Sequence, residues 1–166
     1  MARGDDSNKV LVLDDEPEYQ EWVHEFLRAQ KLKPEIVRTL PEALQSLARA
    51  DYRLIVVDMN VPAAGAIEPA ISAKHPLVLK YPGLIIAIEA RNMGYGAHSV
   101  IAYTVHDDDA AAQELNRLHC RYVLKGRPEV FKSVVKASLA PAPSKSGVDG
   151  QKSATKGKRL KGRGVR

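Results

Sequence analysis

The run KVLVLDDEP (9–17) drives four apolar residues straight into two adjacent carboxylates, Asp14 and Asp15. A third carboxylate, Asp58, closes the apolar run RLIVVD. The hydroxyl of Thr104 closes SVIAYT, and Lys125 closes RYVLK. Three carboxylates brought within about 4–6 Å repel by several kcal/mol per close pair at an effective dielectric near 20. Such a cluster is tolerable when a divalent cation and a lysine balance it. One or two carboxylates, waters and a phosphate oxygen are the usual surroundings of a magnesium ion. The chemistry these five side chains suit is the binding of a hard divalent cation beside a lysine.

That chemistry requires the five residues to meet, so the elements carrying them matter. Strand signals cover 9–14, 35–39, 53–59, 99–104 and 121–125. The first and third are near-continuous apolar runs, as in strands covered on both faces. Amphipathic helical signals alternate with them. The first, 17–30, carries Tyr19, Trp22, Val23, Phe26 and Leu27 at helical spacing. The second, 40–48, opens with a capping box from Thr39 to Glu42. The others cover 84–95, 108–118 and 128–139. Five strands alternating with five helices predict a parallel α/β sheet with helices on both faces. In such sheets the functional crevice lies at the carboxyl ends of the strands. All five residues sit at those ends and are expected to converge there.

The order of these motifs resembles the receiver domains of two-component response regulators. VLVLDDEP is similar to the acidic pair after that family's first strand. LIVVDMNVP is similar to its phosphoacceptor strand and turn, with Pro62 four residues after Asp58; IAYT and RYVLKG supply its hydroxyl and its lysine. The resemblance covers about residues 8–140. It implies a flavodoxin-like, doubly wound sheet of five parallel strands in the order 2-1-3-4-5 with five helices. It further implies that Asp58 accepts a phosphoryl group from a histidine kinase or phosphotransfer protein. Asp14, Asp15, Asp58 and the backbone carbonyl of Asn60 would hold Mg2+. Lys125 would pair with Asp58 and then with the phosphoryl oxygens. Thr104 would swing toward the phosphoryl group and Tyr122 would change rotamer with it. This is a switch rather than an enzyme, with only self-phosphorylation and autodephosphorylation chemistry. Its output would pass to an unknown partner, or to a dimer, through the face built from 108–118, 121–125 and 128–139.

Four features depart from that pattern. Lys125 is followed by Gly126 where proline is common. Val105 follows Thr104 where a smaller residue is usual. His106 comes next, at a position that varies among receivers and tunes phosphoryl lifetime. Asp58 and Thr104 stand 46 residues apart, and the surplus falls in VPAAGAIEPAISAKHPLVLKYPG (61–83), read as an extended loop. A lid, a partner surface and a tolerated insertion are all open readings of that loop. These departures also leave open a receiver-like interaction module that no longer depends on phosphate. An aspartate-phosphatase reading fares worse, because its second acid would fall at Asn60.

Composition sets the outer bounds. The chain has 166 residues and a net charge of +5, spread unevenly. The segment 141–166 holds eight Lys or Arg and the single acid Asp149, a net +7 that leaves residues 1–140 at −2. This tail is rich in Pro, Ser, Gly and Lys and is expected to be disordered alone. Weak contact of Lys156, Lys158, Arg159, Lys161 and Arg163 with a nucleic-acid backbone, contact with an anionic membrane or an acidic partner, and a merely solubilising end are open readings of it, and it has no aromatics for base stacking. An N-terminal arm, 1–8, precedes the domain at 9–140. The five histidines show no metal-ligand spacing. Cys120 is the only cysteine, which excludes an internal disulfide, and reads as a small buried hydrophobe. With no apolar signal core and no membrane-spanning run, a stand-alone cytoplasmic protein is expected.

Overall fold

Val10 to Leu13 and Leu54 to Val57 are buried without interruption, so both strands need cover on two faces, and the chain supplies it. The computed structural model describes residues 7–140; the tail residues singled out above lie outside the described residues. The strands are β1 (Lys9–Leu13), β2 (Lys33–Val37), β3 (Leu54–Val57), β4 (Val100–Thr104) and β5 (Arg121–Leu124). They form one parallel sheet in the order β2-β1-β3-β4-β5, a flavodoxin-like α/β architecture. The helices are α1 (Glu21–Ala29), α2 (Leu40–Arg49), α3 (Pro69–Lys74), α4 (Leu84–Asn92), α5 (Asp109–Arg117) and α6 (Pro128–Leu139).

Alternation along the strands sorts the core into two layers. Val10, Val12, Leu54, Val56, Ile101 and Tyr103 face α1 and α6, meeting Val23, Leu27, Phe131 and Val135. Leu11, Leu13, Ile55, Val57 and Ala102 face the other way, onto α2, α4 and α5 through Leu40, Leu47, Ile85 and Leu115. Parallel strands with helices on both faces bring every strand's carboxyl end to one edge of the sheet.

Four sequence expectations need correction. Residues 17–30 are not one helix: a 3-10 turn (Pro17–Gln20) precedes α1. The capping box is displaced by one residue. Thr39 Oγ1 accepts from Glu42 N, but Glu42 Oε2 accepts from the backbone of Arg38 rather than Thr39. Among the described residues there are six helices, not five, because 61–83 is not a plain loop. It holds α3 and a 3-10 turn (Pro76–Leu79). Finally, the helix read as amphipathic over 84–95 is apolar all round in its first part, and Glu89, Arg91 and Asn92 come only at its end. Leu84, Ile85, Ile86, Ala87, Ile88 and Ala90 are all buried. One side of α4 packs on the sheet, and α2 and the 61–83 segment, with Val78 and Tyr81, pack against the others. A helix whose first turns have no polar face needs more cover than the sheet gives, and the added residues supply part of it. No helix among the described residues is long and apolar enough to cross a membrane.

Candidate functional site at the strand ends

The sheet's backbone ladder runs one residue beyond β1, β3 and β5, and this sets the site. Asp14 N donates to Val37 O (3.0 Å), Asp58 N to Leu13 O (2.8 Å) and Lys125 N to Thr104 O (2.7 Å). The three candidate side chains therefore leave backbone that the sheet itself holds. Lys125 Nζ bridges two carboxylates, donating to Asp58 Oδ2 at 2.9 Å and to Asp14 Oδ2 at 3.0 Å. The other oxygen of each acid is held by its own loop. Asp14 Oδ1 accepts from Glu16 N (2.9 Å), and Asp58 Oδ1 accepts from Asn60 N (3.2 Å). Asp14 is 4% exposed and Asp58 7%. The half-buried Asp15 completes the group: one oxygen from each of the three acids lies within 4.8 Å of the others.

The electrostatics leave a defined surplus. Burial works against the Lys125 ammonium, but Asp58 first and then Asp14 outweigh it, so its pKa is raised. Lys125 is therefore charged at neutral pH. Three carboxylates against one ammonium leave two negative charges in a pocket of hard oxygen donors. The chemistry of this donor set fits a divalent cation such as Mg2+. The ammonium also lies 5.8 Å from the centre of the Tyr103 ring.

Thr104 and Tyr122 meet at one residue. Thr104 is fully buried, and its Oγ1 accepts from His106 N at 3.3 Å. Tyr122 donates its hydroxyl to the His106 carbonyl. Burial, chiefly, raises the Tyr122 pKa, so it stays a donor. The loop after β4 is thus gripped from both strands. Val105 between them is 67% exposed. Asn60 is also exposed, with its amide turned to Asp58.

Two features escaped the sequence reading. Gly83 packs so tightly on the peptide after β3 that a Cβ there would lie 2.1 Å from the Asp58 carbonyl oxygen. The Pro-Gly pair before an apolar helix was the available signal, but it marks a turn, not a contact partner. Asp108 caps α5 through Ala110 N (2.9 Å) and Ala111 N (3.2 Å). The Asp-rich stretch before an Ala run was legible as a helix start. Cys120 is buried, with its thiol pushed up to about 11 by burial, as expected of a packing residue. Among the described residues, no histidine joins a group able to hold a metal.

No family model matches the chain. Over 93 residues it is 31% identical to the response regulator protein PilR of Pseudomonas aeruginosa, a match covering 52% of this chain and 21% of PilR. The chain thus spans about a fifth of that curated relative. Its fold is similar to the BeF3-activated N-terminal receiver domain of Klebsiella pneumoniae RstA (TM-score 0.61, 17% identity, 80% of this chain and 99% of that one). It is also similar to a CheY-like receiver domain protein from Methanospirillum hungatei (TM-score 0.61, 16% identity, 80% and 94%). A third likeness is to Thermotoga maritima response regulator TrrA in complex with Mg2+ and BeF (TM-score 0.54, 23% identity, 77% and 96%). The fold is that of a response-regulator receiver domain.

Proposed function

We propose that this chain is a phosphoacceptor switch of the two-component type, with Asp58 as the acceptor. The observation that carries this reading is the Lys125 bridge between Asp58 and Asp14 beside Asp15. It assembles a nucleophile, a fixed cation and a divalent-metal site in one buried cluster.

In this reading an Asp58 carboxylate oxygen attacks the phosphorus of a phosphohistidine on a kinase or phosphotransfer protein. The O–P bond forms as the P–N bond breaks, and the electron pair leaves with the imidazole nitrogen, which takes a proton from solvent. Lys125 follows the charge from the carboxylate to the transferring oxygens, where stabilisation matters most. Asp14, Asp15, Asp58 and the Asn60 carbonyl would hold Mg2+. When bound, that ion supplies further neutralisation of the transferring group. Thr104 donates its hydroxyl to a phosphoryl oxygen while still accepting from His106 N, and Tyr122 changes rotamer beside that loop. The added charge biases that loop and the surface beyond it. The chain then acts through a partner protein, or a second copy, at the face of α5, β5 and α6. It works in the cytoplasm and turns over only its own phosphoryl group.

The test is Mg2+-dependent binding of beryllium fluoride, or labelling by acetyl phosphate, with loss of both in Asp58→Asn. No binding or labelling of the parent chain would sink the reading. Partner capture that persists unchanged in Asp58→Asn would favour an interaction module independent of phosphate.

A further inference from the structure

The segment that lengthens the Asp58–Thr104 interval touches both of its ends. At one end Gly83 N donates to Met59 O (2.9 Å), directly behind the acceptor aspartate. Two residues earlier, the buried Tyr81 reaches the loop after β4. Its hydroxyl donates to Asp108 Oδ2 at 2.7 Å, and Lys80 Nζ donates to the same oxygen at 2.8 Å. The Tyr81 ring also packs on the His106 ring, with centroids 5.4 Å apart. A second tie lies further along α5, where His75 Nδ1 is 3.0 Å from Glu114 Oε1. His106 is the residue whose N–H and carbonyl engage Thr104 and Tyr122.

We propose that Lys80 and Tyr81 are positioning residues for phosphoryl capture. They brace residues 105–108 so that Thr104 and its loop are ordered before a phosphoryl group arrives at Asp58. This inference rests on the phosphoacceptor reading above. The gain is one of preorganisation. A free loop of four residues between Thr104 and α5 would lose conformational entropy when Thr104 engages the phosphoryl group. Here that ordering is already present, because Asp108 carries four donors and His106 is held on its N–H, carbonyl and ring. Neither Lys80 nor Tyr81 bonds Asp14, Asp15 or Asp58, so the brace acts on the phosphoryl side of the site and not on the metal side.

The experiment compares the full chain with the double variant Lys80→Met, Tyr81→Phe, which keeps the apolar stem and the ring in place. Mg2+ affinity and Mg2+-dependent beryllium fluoride affinity are measured separately, with amide hydrogen exchange over 105–111. The expected result is beryllium fluoride binding weaker by about tenfold, within the usual span of coupling between sites. Mg2+ affinity is unchanged, exchange over 105–111 is faster, and Lys80→Arg with Tyr81 intact restores parental binding. Asp108→Asn, which retains a helix-capping acceptor, is expected to reproduce the double variant in weaker form. Beryllium fluoride binding equal to or tighter than the parent's overturns the brace. So does an equal fall in Mg2+ affinity, which would report general loss of structure. A parent chain that binds no beryllium fluoride overturns the phosphoacceptor reading and the brace with it. Parental binding with unaffected variants overturns the brace alone.

Discussion

Gly83 lies against the backbone of Asp58: a Cβ at position 83 would come within 2.1 Å of the Asp58 carbonyl oxygen and 2.8 Å of the Met59 Cα. The φ of Gly83 is −59°, ordinary for any residue, so the constraint is space and not torsion. Gly83→Ala must push the Asp58 peptide or α4 out of place. Overpacking of this kind costs about 1–3 kcal/mol. The displaced carboxylate would also lose its hold on Lys125. Urea unfolding is expected to show the loss, and beryllium fluoride titration to show weakened binding. Parental binding by Gly83→Ala would mean that the Asp58 backbone is not set from behind.

Gly126 poses the opposite case. Its φ is +86°, while a Cβ there would meet nothing within 4 Å. Gly126→Ala is therefore strained but not crowded, and a left-handed non-glycine residue costs about 1–2 kcal/mol. Binding at Asp58 should survive that loss. Gly126→Pro is different, because proline fixes φ near −65°. The turn that follows Lys125 would have to rebuild, and beryllium fluoride binding is expected to fall with it. Equal binding by the two variants would show that this turn does not set Lys125.

What was legible in the sequence was local. Asp14, Asp58, Thr104 and Lys125 stand directly at the ends of apolar strand runs, and a parallel sheet carries such ends to one edge. The 61–83 segment was illegible for the converse reason. Its helix α3 buries none of its residues, so its hydrophobic pattern is weak. Its main apolar contacts, Val78 and Tyr81, are with α4 and its neighbours. Periodicity within α4 could not reveal that cover, since its first turns are buried on all sides and have no polar stripe to read. The link from Tyr81 to Asp108 joins residues 27 apart, and no local pattern records it.

Lys125 bonds two of the carboxylates that a divalent cation would share. With its side chain 9% exposed and two acids beside it, removing it leaves buried charge uncompensated. Lys125→Met is expected to lose about 3–5 kcal/mol in metal-free buffer. Added Mg2+ should stabilise that variant more than the parent, whose gain is about 2.7 kcal/mol at one hundred times Kd. Asp58→Asn should show a smaller gain than either. Thermal unfolding across a Mg2+ series reads all three. A Lys125→Met variant with only the parent's Mg2+ response would separate the lysine from the metal site.

His24 gives the chain a pH dependence of its own. It is buried in α1, and its Nε2 has no hydrogen-bond partner. Burial first, and Arg28 second, lower its pKa below 6.5, against weaker opposing pulls from Asp14 and Glu21. The folded state therefore takes up its proton less readily than the unfolded chain. Its contribution is intact above pH 6.5, the unfolded value. It is lost as pH falls through that value toward the depressed folded one. An unsatisfied buried polar group costs about 1–3 kcal/mol, so His24→Leu is expected to match or exceed parental stability at pH 7.5. The gap should widen by pH 5.5, because the variant lacks the proton-linked loss. Denaturant unfolding at the two pH values measures it, and a gap that narrows on acidification would place the proton on the folded state instead.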